Sequence, residues 1–177
     1  MKKFFLLLLL IPLLLIPPLV QEPKTLPDES IKLYFLEDTS LGLHQGSALA
    51  AEPYLAMSSS PNSSTGPLLL MKALLAGPTQ KGLRSPFPKG VTLENWRWDP
   101  DDPGCLQIRL SEQYSGLTDI SLTLADYCIV LTLSQIPGLQ SVEITSSGYT
   151  SGYRDPRALR ENEAMLTEPF DIPADSP

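Results

Sequence analysis

Residues 73–90, ALLAGPTQKGLRSPFPKG, set a nearly all-apolar turn of helix directly against a Gly-Pro stop and then a proline-spaced loop carrying cations. Glycine readily adopts the backbone conformation that ends a helix, and the proline that follows cannot continue one, so the helix must close at Ala76. Leu68, Leu69, Leu70, Met71, Leu74 and Leu75 wrap around more than one face, which predicts a helix over 67–76 buried on more than one side. A helix of that length, ~15 Å, has to lie inside a layered domain. Ser64 or Thr65 is placed to cap it, and Pro67 is tolerated in its first turn.

The other patterns supply partners for this helix. Residues 31–36, IKLYFL, are β-branched and aromatic and predict a first strand, whereas residues 41–66 read as one or two irregular strands and a polar loop. Residues 91–98 and 105–110 predict two strands joined by the turn DPDDPG. Ile120, Leu124, Cys128 and Leu131, with Ala125, Ile129 and Thr132 beside them, follow helical spacing within 117–136. The cap is Thr118 or Asp119, Pro137-Gly138 is the stop, and the predicted length is ~30 Å. Residues 141–145 alternate as a half-buried strand. The expected fold is α+β, a small mixed sheet with two helices packed on one face. Residues 149–177 read as a mostly irregular tail in which only 164–170 would dock.

Lys2 and Lys3 precede residues 4–20, apolar apart from Pro12, Pro17 and Pro18, so residues 1–20 read as a signal peptide or N-terminal anchor. No Ala-x-Ala-like site follows, and no cysteine stands there to take a lipid. Residues 21–30, QEPKTLPDES, read as a linker, and a domain over 31–148 would then fold outside the cytoplasmic membrane, anchored or secreted. A formal charge of −7 in 177 residues argues against a phosphate-binding surface, and nucleic acid is not an expected partner.

Exported chains retain disulfides, so Cys105 and Cys128 could form one bridge or remain two thiols. Alternation favours the thiols, because Leu106, Ile108 and Leu110 share one strand face and Cys105 points to the other. His44 is the only histidine and has no evident acidic partner; Asp99, Asp101 and Asp102 lack the ligand spacing of a calcium loop. No phosphate loop, nucleophile elbow or CxxC is present, and Ser111 and Tyr114 have no base beside them, Tyr114 being expected to pack under the second helix. The expectation is a chain without catalytic residues, cofactor or metal. Two features are candidate contacts. Lys81, Arg84 and Lys89 cluster in an acidic chain and could meet a carboxylate or acidic partner. Trp96 and Trp98 lie by strict alternation on the open side of the sheet, as an anchor for a partner or sugar ring, unless a bulge near Asn95 swaps the faces and returns one or both to the core.

ALLAGPTQKGLRSPFPKGVTL, LQIRLSEQYSG and LADYCIVLTLSQIPGLQSVEI, in that order, resemble the GerMN domain of spore germination and sporulation proteins, and IKLYFLEDTSLGL resembles its opening strand. The resemblance covers about residues 31–148. Its pattern falls on Ala73, Leu74, Leu75, Gly77, Pro78 and Thr79, on Pro88 and Gly90, on Leu110 and Ser111, and on Leu131, Thr132, Gln135, Pro137 and Gly138. It implies a non-catalytic module similar to the ring-building motifs of sporulation envelope complexes, also found in envelope lipoproteins that act with sensor kinases. Envelope proteins, or the chain itself, are the implied partners, with residues 4–20 in the membrane if uncleaved. Against the family pattern, the chain has no lipobox cysteine, fits one copy of the domain, and is Ser- and Ala-rich over 43–66. The alternative is an extracytoplasmic module binding peptidoglycan, another glycan or an acidic small molecule, or one accessory to an envelope sensor.

Overall fold

The computed structural model describes residues 31–38, 48–54, 65–148 and 157–164; the segment 1–20, the linker 21–30, Ser64, His44 and residues 165–170 lie outside these. Seven strands, two longer helices and one helical turn make an α+β fold: β1 (Ile31–Glu37), β2 (Leu49–Tyr54), α1 (Gly66–Ala76), β3 (Leu83–Arg84), β4 (Leu93–Trp98), β5 (Cys105–Leu110), α2 (Asp119–Leu133), β6 (Ser141–Ser146), β7 (Ala158–Leu159) and α3 (Glu161–Ala164). The expected mixed sheet is present in the order β4-β5-β6-β7, and a second, three-stranded sheet, β2-β1-β3, accompanies it.

Strand β5 pairs antiparallel with β4 and parallel with β6. Parallel neighbours need a crossover, and here a 3₁₀ turn, Glu112–Gly116, and α2 provide it. Leu106, Ile108 and Leu110 of β5 and Val142 and Ile144 of β6 face Ile129 and Leu133 of α2, Leu70, Met71 and Leu74 of α1, and Leu33 and Phe35 of β1 in one core. Within α1 only Lys72 and Ala76 are exposed, as its all-round apolar pattern requires. Helix α2 is shorter than expected, ~22 Å, because Ser121 Oγ accepts the Thr118 N–H at its start and the Pro137-Gly138 turn follows its end. Ile120, placed on its apolar stripe by spacing, is instead 75% exposed, since it precedes the part of the helix that meets the sheets.

The first strand belongs to the separate sheet because its free edge is taken by α2. β1 pairs with β2 along Ile31–Leu36, but on its other side β3 reaches only Leu36 and Glu37. Three further backbone groups on that side find side chains of α2 and of the turn that follows it. Lys32 N–H donates to Gln135 Oε1 at 2.8 Å, Gln135 Nε2 donates to Lys32 O at 2.6 Å, and Tyr34 N–H donates to Thr132 Oγ1 at 3.1 Å. Gln135 thus acts on Lys32 as a neighbouring strand would.

Two of the outer strands, β2 and β4, carry local modifications. Pro53 of β2 stands opposite Lys32, whose N–H and C=O are turned toward Gln135, so the missing proline N–H falls on the outer side. In β4 the Trp96 N–H is taken by Asn95 Oδ1 at 2.8 Å. The C-terminal segment contributes more than the docking expected at 164–170: β7 pairs with Val142 and Glu143 of β6, and Leu159 and Ala164 are buried in the core. Burial, and second the Glu161 carboxylate of α3, raise the Tyr34 hydroxyl above the ordinary tyrosine range.

Thr132 is fully buried, so Thr132→Val keeps its shape while leaving the Tyr34 N–H unpaired. A loss of about 1–2 kcal/mol is expected in urea unfolding with an unchanged m value. A variant as stable as the parent would show that the Thr132–Tyr34 bond contributes nothing to holding α2 on β1.

Candidate functional site

The loop after α1 is built from its first residue. Gly77 ends the helix at φ 90°, a conformation that side chains rarely adopt. Thr79 and Gln80 then turn their N–H groups onto Glu52 of β2. The Glu52 carboxylate is 3% exposed and accepts Thr79 N–H at 3.0 Å, Thr79 Oγ1–H at 3.2 Å and Gln80 N–H at 2.9 Å. These bonds satisfy a buried charge and fix the point where the loop leaves the core. Sequence reasoning missed Glu52; the available signal was a single acid in the otherwise uncharged stretch LAAEPY.

From there to Gly90 the backbone is fastened repeatedly. Gly82 O accepts Asp38 N–H at 2.8 Å, Leu83 and Arg84 pair with β1, and Ser85 Oγ accepts Phe87 N–H at 3.2 Å. Pro86 is buried, and the Phe87 ring lies 6.3 Å from the Tyr114 ring between centroids. Pro88 O accepts Val91 N–H across a turn whose third residue, Gly90, has φ 89°. Between 81 and 89 the exposed residues are Lys81, Arg84 and Lys89, and no others. The structure therefore brings the three expected cations onto one short, pinned loop.

It does not build the tryptophan face. The β4–β5 register shifts between Leu93 and Asn95, after which Trp96 stands opposite Ile108 and Trp98 opposite Leu106, on the core side of the sheet. The bulge swaps the faces. Trp96 packs against the core, and Trp98, at the strand end, is 36% exposed. The open face instead presents polar side chains, and a shallow cleft of about 320 Å³ there is lined by Asn95, Arg97, Gln107, Arg109, Glu143 and Thr145 among others.

The remaining chemistry-bearing groups are committed to structure. Ser111 Oγ accepts Thr92 N–H at 2.9 Å, and Tyr114 OH donates to the buried Asp126 of α2 at 2.7 Å, so Tyr114 does pack under the helix. Gly138, at φ 87°, closes the turn in which Leu139 N–H reaches Ile136 O. Asp99, Cys105 and Glu143 place ligand-type atoms within 4.8 Å of one another. Gln107 Nε2 already bridges the two carboxylates, at 3.0 Å to Asp99 and 3.3 Å to Glu143. Cys105 and Cys128 are both buried and both free, on opposite sides of the β5 layer as alternation implied. Burial pushes the Cys128 thiol up to about 12. Among the described residues no helix is long and apolar enough to cross a membrane.

A model of the family Germane, described as sporulation and spore germination, matches residues 32–151. The tandem GerMN domains of the sporulation protein GerM from Bacillus subtilis share 17% identity, with 76% of this chain and 46% of that chain covered at a TM-score of 0.54. The first GerMN domain of the same protein shares 16%, with 75% of this chain and 98% of that chain covered, also at 0.54. The chain thus spans about half of the tandem pair and nearly all of the single domain, and the likeness is one of fold. No curated protein matches.

Two outcomes follow from the geometry. Glu52→Ala strips three donors of their acceptor and should cost roughly 2–4 kcal/mol, with faster amide exchange at Thr79 and Gln80; unchanged exchange there would disprove the clamp. Because the folded Cys128 thiol is raised to about 12 from its ordinary 9.0, the stability it supplies is complete below 9 and lost as pH rises toward 12. Thermal unfolding of Cys128→Ala should accordingly fall less steeply over that window than that of the parent, and parallel curves would refute the assignment.

Proposed function

The chain belongs to the Germane family of sporulation and spore germination domains, and from that membership we propose that it is a non-catalytic contact module working outside the cytoplasmic membrane. The observation that carries this reading is the family match over residues 32–151, which takes in every described strand and helix from β1 to β6 apart from Ile31 itself. Export is supported by Lys2 and Lys3 followed by the apolar residues 4–20, which act as a signal or a retained anchor. A contact role is supported by the use of hydroxyls and carboxylates. Ser111, Tyr114, Glu52 and Thr132 spend theirs on backbone closure and on the core.

In this reading the partner is an envelope protein or a further copy of the chain, and spore formation or germination is the process served. Of the two surfaces open to the ligand-binding alternative, the paired indoles lie on the core side of β4, which leaves it the cationic loop.

Deleting the gene in its host should lower the yield of heat-resistant spores or delay their germination, with recovery on re-expression of the intact chain outside the membrane. Normal spore counts together with normal germination timing would overturn the proposal.

A further inference from the structure

Resting on the reading of the chain as a contact module, we propose that the loop 81–89 is its contact element and that the partner presents a short acidic protein segment to Lys81, Arg84 and Lys89. The loop shows a partner these three cations and little else. Gly82, Leu83, Ser85, Pro86, Phe87 and Pro88 are buried or half-buried between them. Each of the fastenings, from the Glu52 carboxylate to the Gly90 turn, fixes the backbone from which a cation projects. Little ordering of the loop backbone is therefore left to oppose association.

The cations have no internal use. Among the described residues none of the three side chains makes an ion pair or hydrogen bond, while Glu37 and Asp38 on the adjoining strand have contacts of their own. Arg84, on β3 between the two lysines, brings a planar fork of donors suited to a carboxylate.

Charge and position decide between kinds of anionic partner. A long polyanion or an anionic lipid surface would face the whole molecule, whose net charge is −7, and be repelled by it. A short acidic segment responds to charges within a screening length of ~8 Å and so senses mainly the loop. Position gives the same answer. The chain enters the domain at Ile31, whereas β3 pairs with Leu36 and Glu37 at the far end of β1, ~20 Å away. An anchor upstream of Ile31 would thus meet β1 at the end opposite to the one that pairs with Arg84.

The test uses the full chain in neutral detergent and a fluorescent hexaglutamate peptide, followed by anisotropy over a salt series. The peptide should bind, weaken with salt, and bind at least about tenfold more weakly to the variant Lys81→Glu/Arg84→Glu/Lys89→Glu, the size expected of three exposed charge contacts reversed together. Lys81→Arg/Lys89→Arg should keep the affinity, and an unchanged thermal midpoint would establish that the reversed variant is folded. Equal binding by parent and reversed variant, absence of peptide binding, or stronger binding of polyphosphate or phosphatidylglycerol vesicles than of the peptide would each overturn the proposal. A spore defect without peptide binding would sink this inference alone, whereas peptide binding without a spore defect would sink the functional reading beneath it.

Discussion

The free edge of β1 is the constraint on which the arrangement turns. A strand paired along one side leaves N–H and C=O groups on the other, and burying such groups unpaired costs ~1–3 kcal/mol each. Here Thr132 in the last turn of α2 and Gln135 just beyond it meet that requirement for Lys32 and for the Tyr34 N–H, so the helix is fixed along β1 by hydrogen bonds as well as by packing. The same helix is the crossover between β5 and β6. Both sheets therefore meet at one element, which is hydrogen-bonded to β1 and packed in the same core as β5 and β6. The chain of dependence continues outward: β1 holds β2, β2 carries Glu52, and Glu52 fixes the start of the loop 81–89.

That dependence explains what could be read from the residues and what could not. Helix α1, the β4–β5 hairpin, α2 and β6 have strong periodicity or hard stops, and each is found close to where its pattern placed it. The division into two sheets is set by hydrogen bonds between residues 98 and 103 positions apart, which local pattern does not encode. Strands β3 and β7 have two residues each, too few for any period, and α3 has only four. The tryptophans were misplaced by strict alternation because one extra residue near Asn95 reverses every side chain after it. The three cations were legible because surplus charge in a loop depends on composition more than on register.

The residues that carry the family resemblance lie at joints. Gly77, Gly90 and Gly138 take positive φ at turns, Thr79 and Ser111 make bonds that close loops, and Thr132 and Gln135 hold β1. A pattern of this kind preserves geometry while leaving the exposed surface free to vary. That is consistent with a fold shared at 16–17% identity.

Pro53 and the Asn95 cap on Trp96 have a consequence beyond their own strands. A sheet ending in an unmodified strand is a template on which another chain can add itself, and repetition of that step yields fibres. Here β2, an outer strand of one sheet, lacks a donor where a newcomer would need it, and β4, an outer strand of the other, has a donor already occupied. Strand addition at these two edges is thereby discouraged, which leaves side chains rather than open backbone as what each edge offers to a neighbouring molecule.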